Sequence, residues 1–266
     1  MSELWKNKNY LSDIPYLISH HIYEYDITKA NINVLLWLGE IDKDYYDKLK
    51  AMPRQDRQVE IGYLLKYNTG LQDKLSDGIQ HFRKLLFEEN DLEDIDILAI
   101  KNDAVYVISK KLSNTKFDNV EFVLKNHYTT YIRLARHIEV YFESNIIEGT
   151  IQLDIKGISD TKLELHHKYM ATILADVIYY IETGDINSGL TYLSDIYNKY
   201  IDKQLDPGYY RNFDTESCYT IVANGSYYSV PYCNSKEMFM SLDISCNLDI
   251  LRTLYGYLTN IYFSRR

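Results

Sequence analysis

An α+β fold, with its last ~110 residues mainly helical, is predicted by three features of the sequence. Strand-like runs rich in Ile, Val and Tyr (residues 20–27, 95–108 and 149–155) alternate with longer stretches of helical apolar spacing. Only four prolines and eleven glycines punctuate the 266 residues, too few for a many-turned β-protein. No Ser/Gly/Pro-rich linker interrupts the chain, whose length suits one domain plus a smaller lobe, or two small lobes.

The elements follow in order. Residues 20–27 alternate as a strand and end on Asp26, and residues 30–38 have helical spacing that stops near Gly39. Asp42 is placed to cap a short helix through Tyr45, Leu49 and Met52, which Pro53 ends. A helix from Arg54 to about Tyr67 carries Val59, Ile61, Leu64 and Leu65; Asn68-Thr69-Gly70 breaks it. Leu75, Ile79, Phe82, Leu85 and Leu86 then share one face of the next helix. Two apolar runs, 95–100 and 104–108, flank the polar tip Lys101-Asn102-Asp103 and read as a β-hairpin, with Asn102 suited to the left-handed turn position. Residues 121–124 and 149–155 read as further strands, and 163–183 and 186–203 as long helices. Asn224-Gly225, between 219–222 and 227–232, signals a second hairpin, and 249–263 closes the chain as a helix.

Composition excludes some classes of function. A formal net charge of −9 argues against a protein held on nucleic acid by bulk positive charge, though not against an enzyme with one basic groove. No apolar run is long enough for a membrane span, and MSELWKNKNY lacks the apolar core of a signal peptide, so the expected location is cytoplasmic. Cys218, Cys233 and Cys246 match neither a zinc spacing nor an even disulfide framework. The 27 tyrosines, with abundant Ile, Asn, Lys and Asp, have AT-rich codons, as in a low-GC bacterium or its phage.

Two carboxylates stand out. Asp26 ends a strand that enters a helix, and Asp103 sits at a hairpin tip. Aspartates presented by two neighbouring strands can hold two divalent cations about 3.5–4 Å apart, the arrangement that activates an attacking hydroxyl and stabilises a leaving pyrophosphate. Mg²⁺ takes such oxygen ligands. Helix capping and a plain turn role are the competing readings of these two residues.

The surrounding residues resemble family B DNA polymerases in motif order. Tyr25-Asp26-Ile27-Thr28-Lys29-Ala30-Asn31 is similar to that family's D-x-x-S-L-Y-P-S motif, and Lys101-Asn102-Asp103-Ala104-Val105-Tyr106-Val107 to its D-T-D-S-V-F-V hairpin. Lys125-Asn126-His127-Tyr128 looks like the K-K-x-Y segment, and Asp154-Ile155-Lys156-Gly157-Ile158 like the following K-G strand. Together these span roughly residues 20–205. The resemblance implies a polymerase palm-like antiparallel sheet with a short fingers-like helical insertion over residues 1–158. A mainly helical thumb-like lobe with a C-terminal hairpin and helix would follow over 159–266, packing away from the sheet, and no exonuclease domain would precede them.

That resemblance makes Asp26 and Asp103 the catalytic metal ligands of a nucleotidyltransferase for template-directed nucleic-acid synthesis in DNA replication, using Mg²⁺ or Mn²⁺. Its partners would be a nucleoside triphosphate and a primer–template, with a second polymerase-subunit chain as a further option. Asn31 stands where the family has its tyrosine steric gate, which would open the site to a ribose 2′-hydroxyl. Leu64 replaces the fingers lysine, so Arg54, Arg57 and Lys66 are the candidates for the triphosphate. Lys125, Tyr128 and Lys156 are the candidates for the nucleic-acid backbone. Lys101 replaces the first hairpin acid. With the net acidity, that departure favours the alternative: a non-catalytic palm-fold subunit or nucleic-acid/protein binding module acting with a partner chain.

Other residues carry weaker signals. His166 and His167 are adjacent on a helix and point about 100° apart, which suits a helix surface better than one metal site. Residues 91–96 read as a solvated loop. Lys110, Lys111, Lys116, Lys125, Arg133 and Arg136 form the densest basic stretch, either a nucleic-acid track or a solvated face. The tyrosine-rich stretches suit either base stacking or amphipathic packing.

Overall fold

The computed structural model describes residues 3–135, 138–145, 150–157, 160–205, 218–223, 226–231 and 248–264. It is a mixed α/β protein built on antiparallel strands. Its contacts divide it into two units, one of Met1–Ile14 and His20–Tyr128, the other of Pro15–Ser19 and Thr129–Arg266. Residues 129–158 fall in the second unit in this division, whereas the sequence grouping placed them with the first. Among the described residues, no helix is long and apolar enough to cross a membrane.

In the first unit the strands are β1 (Asn9–Leu11), β2 (Tyr16–Ile27), β3 (Ile97–Lys101), β4 (Ala104–Ile108), the short β5 (Lys116–Phe117) and β6 (Val120–Ala135), ordered β1-β3-β4-β2-β6 with β5 on β6. The ends of β2 and β6 continue into the second unit. Four helices complete the first unit: α1 (Ala30–Trp37), α2 (Lys43–Ala51), α3 (Arg54–Tyr67) and α4 (Leu71–Glu89). Asp42 caps α2 as expected, its carboxylate accepting from the Tyr45 backbone N–H at 2.8 Å. Asn102 takes the left-handed conformation at the tip of the β3–β4 hairpin, with φ of 56°.

Alternation along β2 sends Tyr25 and Ile27 into a core with Val34 and Leu35 of α1 and Phe82 and Leu86 of α4. Each such buried side chain contributes about 1.5–3 kcal/mol relative to its exposed state. Gly78 lets α4 approach α1, because a Cβ there would lie 2.4 Å from Val34 Cγ1. On α3 Ile61 is fully buried and Leu64 and Leu65 pack against the same core, whereas Val59 is exposed.

The second unit pairs β6 with β7 (Ile138–Asn145) and β7 with β8 (Thr150–Lys156), all antiparallel. Its helices are α5 (Asp160–Thr183), α6 (Ile186–Ile201) and α7 (Leu248–Ser264), and β9 (Cys218–Ala223) and β10 (Ser226–Pro231) form a separate hairpin. The turn at Asn224-Gly225 lies outside the described residues, as do Arg136 and the side chains of His166 and His167. Contrary to the expectation of a helical lobe packed away from the sheet, α5–α7 share one core with the strands. Ile132, Val140, Phe142 and Ile155 pack with Leu174, Ile178, Leu193 and Leu258. Strand β7, not visible in the sequence reading, supplies much of the apolar surface that these helices cover.

Candidate functional site

Two turns build the site, and each contains a left-handed residue. After β2 the chain turns at Thr28-Lys29, where Lys29 has φ 47° and ψ 46° at the start of α1. Lysine gains nothing from that conformation, which costs roughly 1–2 kcal/mol. Asn33 holds the turn in place: its amide donates to the Thr28 carbonyl while its side-chain oxygen accepts from the Tyr46 hydroxyl at 2.8 Å. The second turn is Asn102-Asp103 of the β3–β4 hairpin.

The strand ladder brings the two turns together. In the β2–β4 register Asp26 stands opposite Ala104, the residue after Asp103, and Glu24 stands opposite Tyr106. The two carboxyls line the same cavity, and the charge of Asp26 bears on Asp103. Burial, then the negative charge of Asp26, pushes the Asp103 pKa up from 3.8 to about 6. Lys125 of β6 partly offsets this, its Nζ lying 3.4 Å from Asp26 and 3.8 Å from Glu24.

Glu24, which the sequence reading passed over, is the anchor beneath this pair. It is 2% exposed and accepts from the hydroxyls of Tyr106 and Tyr128 and the amide of Asn126, at 3.0, 2.9 and 2.6 Å. A buried polar side chain needs such hydrogen-bond partners.

A cavity of about 840 Å³ opens over the two aspartates, and every residue lining it belongs to the first unit. Seven of those residues are basic: Lys8, Lys29, Arg54, Arg57, Arg83, Lys101 and Lys125. Three are acidic, Asp26, Asp73 and Asp103, so the cavity is cationic inside a protein of net charge −9. Asn31, on the first turn of α1, lines it as well.

Arg83 of α4 is the second residue that sequence reasoning missed. Only 2% exposed, it donates through Nη1 to the Asn7 carbonyl, while its Nε has no hydrogen-bond partner. Burial lowers its pKa to about 10, and the Asp103 charge opposes that fall. A charged residue in the middle of an apolar helix face is the one signal in the sequence that marks it.

The remaining sequence candidates separate from this cluster. Lys66 is on α3 but does not line the cavity, and its Nζ lies 5.8 Å from the Tyr67 ring. Tyr128 is 1% exposed with its hydroxyl committed to Glu24, which corrects its assignment to a nucleic-acid backbone: a residue so buried has no surface to offer one. Lys156 belongs to the second unit, its Nζ 2.7 Å from Asp154.

The paired carboxylates fit Mg²⁺, which uses one or two carboxylates and completes its octahedron with water and substrate oxygens. Two anions pressed together, one with a raised pKa, are the electrostatic condition that a divalent cation relieves. Among the described residues no group of three or more His, Cys, Asp or Glu side chains is gathered as a metal site.

A family model described as "Bacteriophage PBS1 gene 130 protein" matches residues 1–258. The chain belongs to that family. No curated protein matches it.

Proposed function

We propose that this member of the gene 130 family is a nucleotidyltransferase that extends a nucleic-acid 3′ end in the manner of family B DNA polymerases, with a palm-like first unit. One observation carries the reading. Asp26 and Asp103, far apart in sequence, converge at the floor of a cationic cavity large enough for a nucleotide. Held by these two aspartates, Mg²⁺ or Mn²⁺ would supply the Lewis acidity that activates a 3′-hydroxyl and neutralises a leaving pyrophosphate.

The chain's own residues do the rest. Arg54 and Arg57 present planar donors to phosphate oxygens, and the buried Arg83 adds a fixed positive charge below them. Asn31 faces the space where the sugar of a bound nucleotide would lie, leaving room for a 2′-hydroxyl. Lys125 neutralises the aspartates when no other cation is present and is free to turn to a phosphate otherwise.

A non-catalytic subunit of similar fold, working with a partner chain, is the second reading. The observation favouring it is Lys125 itself, an ammonium already seated against Asp26 and Glu24. Primer extension with ribo- and deoxynucleotides, in Mg²⁺ and in Mn²⁺, separates the two. The wild type should extend, and Asp103→Asn should not while remaining folded. Absence of extension by the wild type, alone or with its neighbouring gene products, sinks the catalytic reading.

A further inference from the structure

Helix α3 carries apolar side chains on two faces, one packed on the core and one exposed. At 3.6 residues per turn, Arg54, Arg57, Gln58, Ile61 and Leu65 share the face that lines the cavity. Val59, Tyr63 and Tyr67, each four residues from the next, lie on the opposite face and are 59%, 55% and 74% exposed. An apolar stripe on the solvent side contributes nothing to the core, and such stripes mark binding surfaces.

The tyrosines are arranged in a specific way. Their ring planes are 10° apart and their centroids 6.4 Å, wider than the 4.9 Å of the Trp37–His81 and Tyr23–His127 stacks in the same unit. Residues four apart on a helix stand one turn, about 6 Å, apart, and a ring–base–ring sandwich at about 3.4 Å per stacking step spans a similar distance of about 6.8 Å. The flanks of the stripe differ in charge. On one side are Gly62 and Lys66, the latter with its Nζ 5.8 Å from the Tyr67 ring. On the other are Asp56 and Glu60, the latter accepting from the Tyr45 hydroxyl at 2.9 Å. Gly62 costs the helix about 1 kcal/mol relative to alanine. The fold does not need it, since a Cβ there would meet nothing within 4 Å.

We propose that Tyr63 and Tyr67 form a clamp for one unpaired base of a single-stranded nucleic acid, whose backbone runs along the Gly62–Lys66 flank. Base–aromatic stacking supplies the affinity and tolerates any sequence. Lys66 provides the contact to phosphate, Gly62 leaves space for the sugar–phosphate chain, and the acids of the opposite flank exclude it from that side. This site is on the far face of α3 from the cavity and does not depend on the catalytic reading.

Fluorescence anisotropy with a labelled oligothymidylate of about twelve nucleotides tests the clamp directly. Combined Tyr63→Ala and Tyr67→Ala should weaken binding about tenfold or more. The double Phe variant, which keeps the rings, should stay within about twofold of wild type. An abasic oligomer of the same length should bind the wild type no better than the Ala variant binds the oligothymidylate. Lys66→Ala should weaken binding and reduce its salt dependence. Equal affinity of the wild type and the Ala variant overturns the proposal, as does a wild type that binds no oligothymidylate. So does an Ala variant that changes only the oligomeric state in sedimentation, which would make the stripe a contact between copies of this chain.

Discussion

Asp26 and Asp103 line one cavity because the β2–β4 ladder sets Asp26 opposite Ala104, the residue after Asp103. A slip of one residue in that register would turn Asp26 to the opposite face of the sheet. The pair is therefore held by strand pairing together with the left-handed turn residues Lys29 and Asn102. It also gives the protein a characteristic dependence on pH and on cations.

The pH dependence has a definite sign. A carboxyl whose folded-state pKa is raised favours folding below its ordinary value of 3.8, and that contribution disappears as the pH climbs to about 6. Above pH 6 the ionised Asp103 weakens the metal-free protein. Asp103→Asn should accordingly be the more stable form at pH 7–8, by roughly 1 kcal/mol after solvent screening, or about 2–4 °C in Tm. The difference should shrink steadily from pH 6 to pH 4. Thermal melts of both proteins in chelator across that range check it, and parallel curves would show that Asp103 is not under the strain described.

Divalent cations should reverse the penalty. Millimolar Mg²⁺ or Mn²⁺ is expected to raise the Tm of the wild type but not that of Asp26→Asn or Asp103→Asn. Lys125→Met removes a competing cation 3.4 Å from Asp26, so the half-saturating metal concentration should fall about fivefold. Metal-independent melting of the wild type would favour the non-catalytic reading.

Sugar selection should respond to Asn31. Tyrosine at this cavity-lining position places a ring against the incoming sugar, so Asn31→Tyr is expected to shift extension towards deoxynucleotides. The ratio of kcat/KM for ribo- and deoxynucleotides measures it. A ratio unchanged from wild type removes Asn31 from the sugar site.

Two glycine substitutions probe packing with opposite outcomes. Gly78→Ala forces a methyl against Val34 Cγ1 at 2.4 Å and should cost about 1–3 kcal/mol despite better helix propensity. Gly62→Ala meets nothing and should stabilise by about 0.5–1 kcal/mol, read as a higher denaturation midpoint.

Most of the first unit could be read from the sequence because local signals and tertiary structure agree there. Asp42, Pro53, Asn68-Thr69-Gly70 and Asn102 each end or cap an element through their own backbone chemistry, and Asp26 and Asp103 follow from strand ends. What was missed depends on partners distant in the chain. Strand β7 alternates Ile138, Val140 and Phe142 with Glu139 and Glu143, but only its pairing with β6 and β8 shows which face is core. Tyr128 alternates with Thr130, Ile132 and Leu134, all buried, and that period of two places it inside. Lys66 lies about 120° round α3 from Arg54, off the cavity face, which helical geometry alone could have shown. Glu24 belongs to no motif and becomes significant only when its burial is known, whereas Arg83 is marked by its charge within an apolar helix face.

The first unit is not one stretch of chain: Pro15–Ser19, between its two parts, belongs with residues made much later. During synthesis everything the first unit needs has left the ribosome once residue 128 has emerged. The five-residue segment near the start must then wait for the rest of the chain, on the order of ten seconds or longer at ordinary elongation rates. A fragment cut after residue 128 would carry that segment as an orphan, and a fragment beginning at residue 129 would lack it. A single crossover in the gene after residue 128 would therefore pair those five residues with a second unit from a different parent.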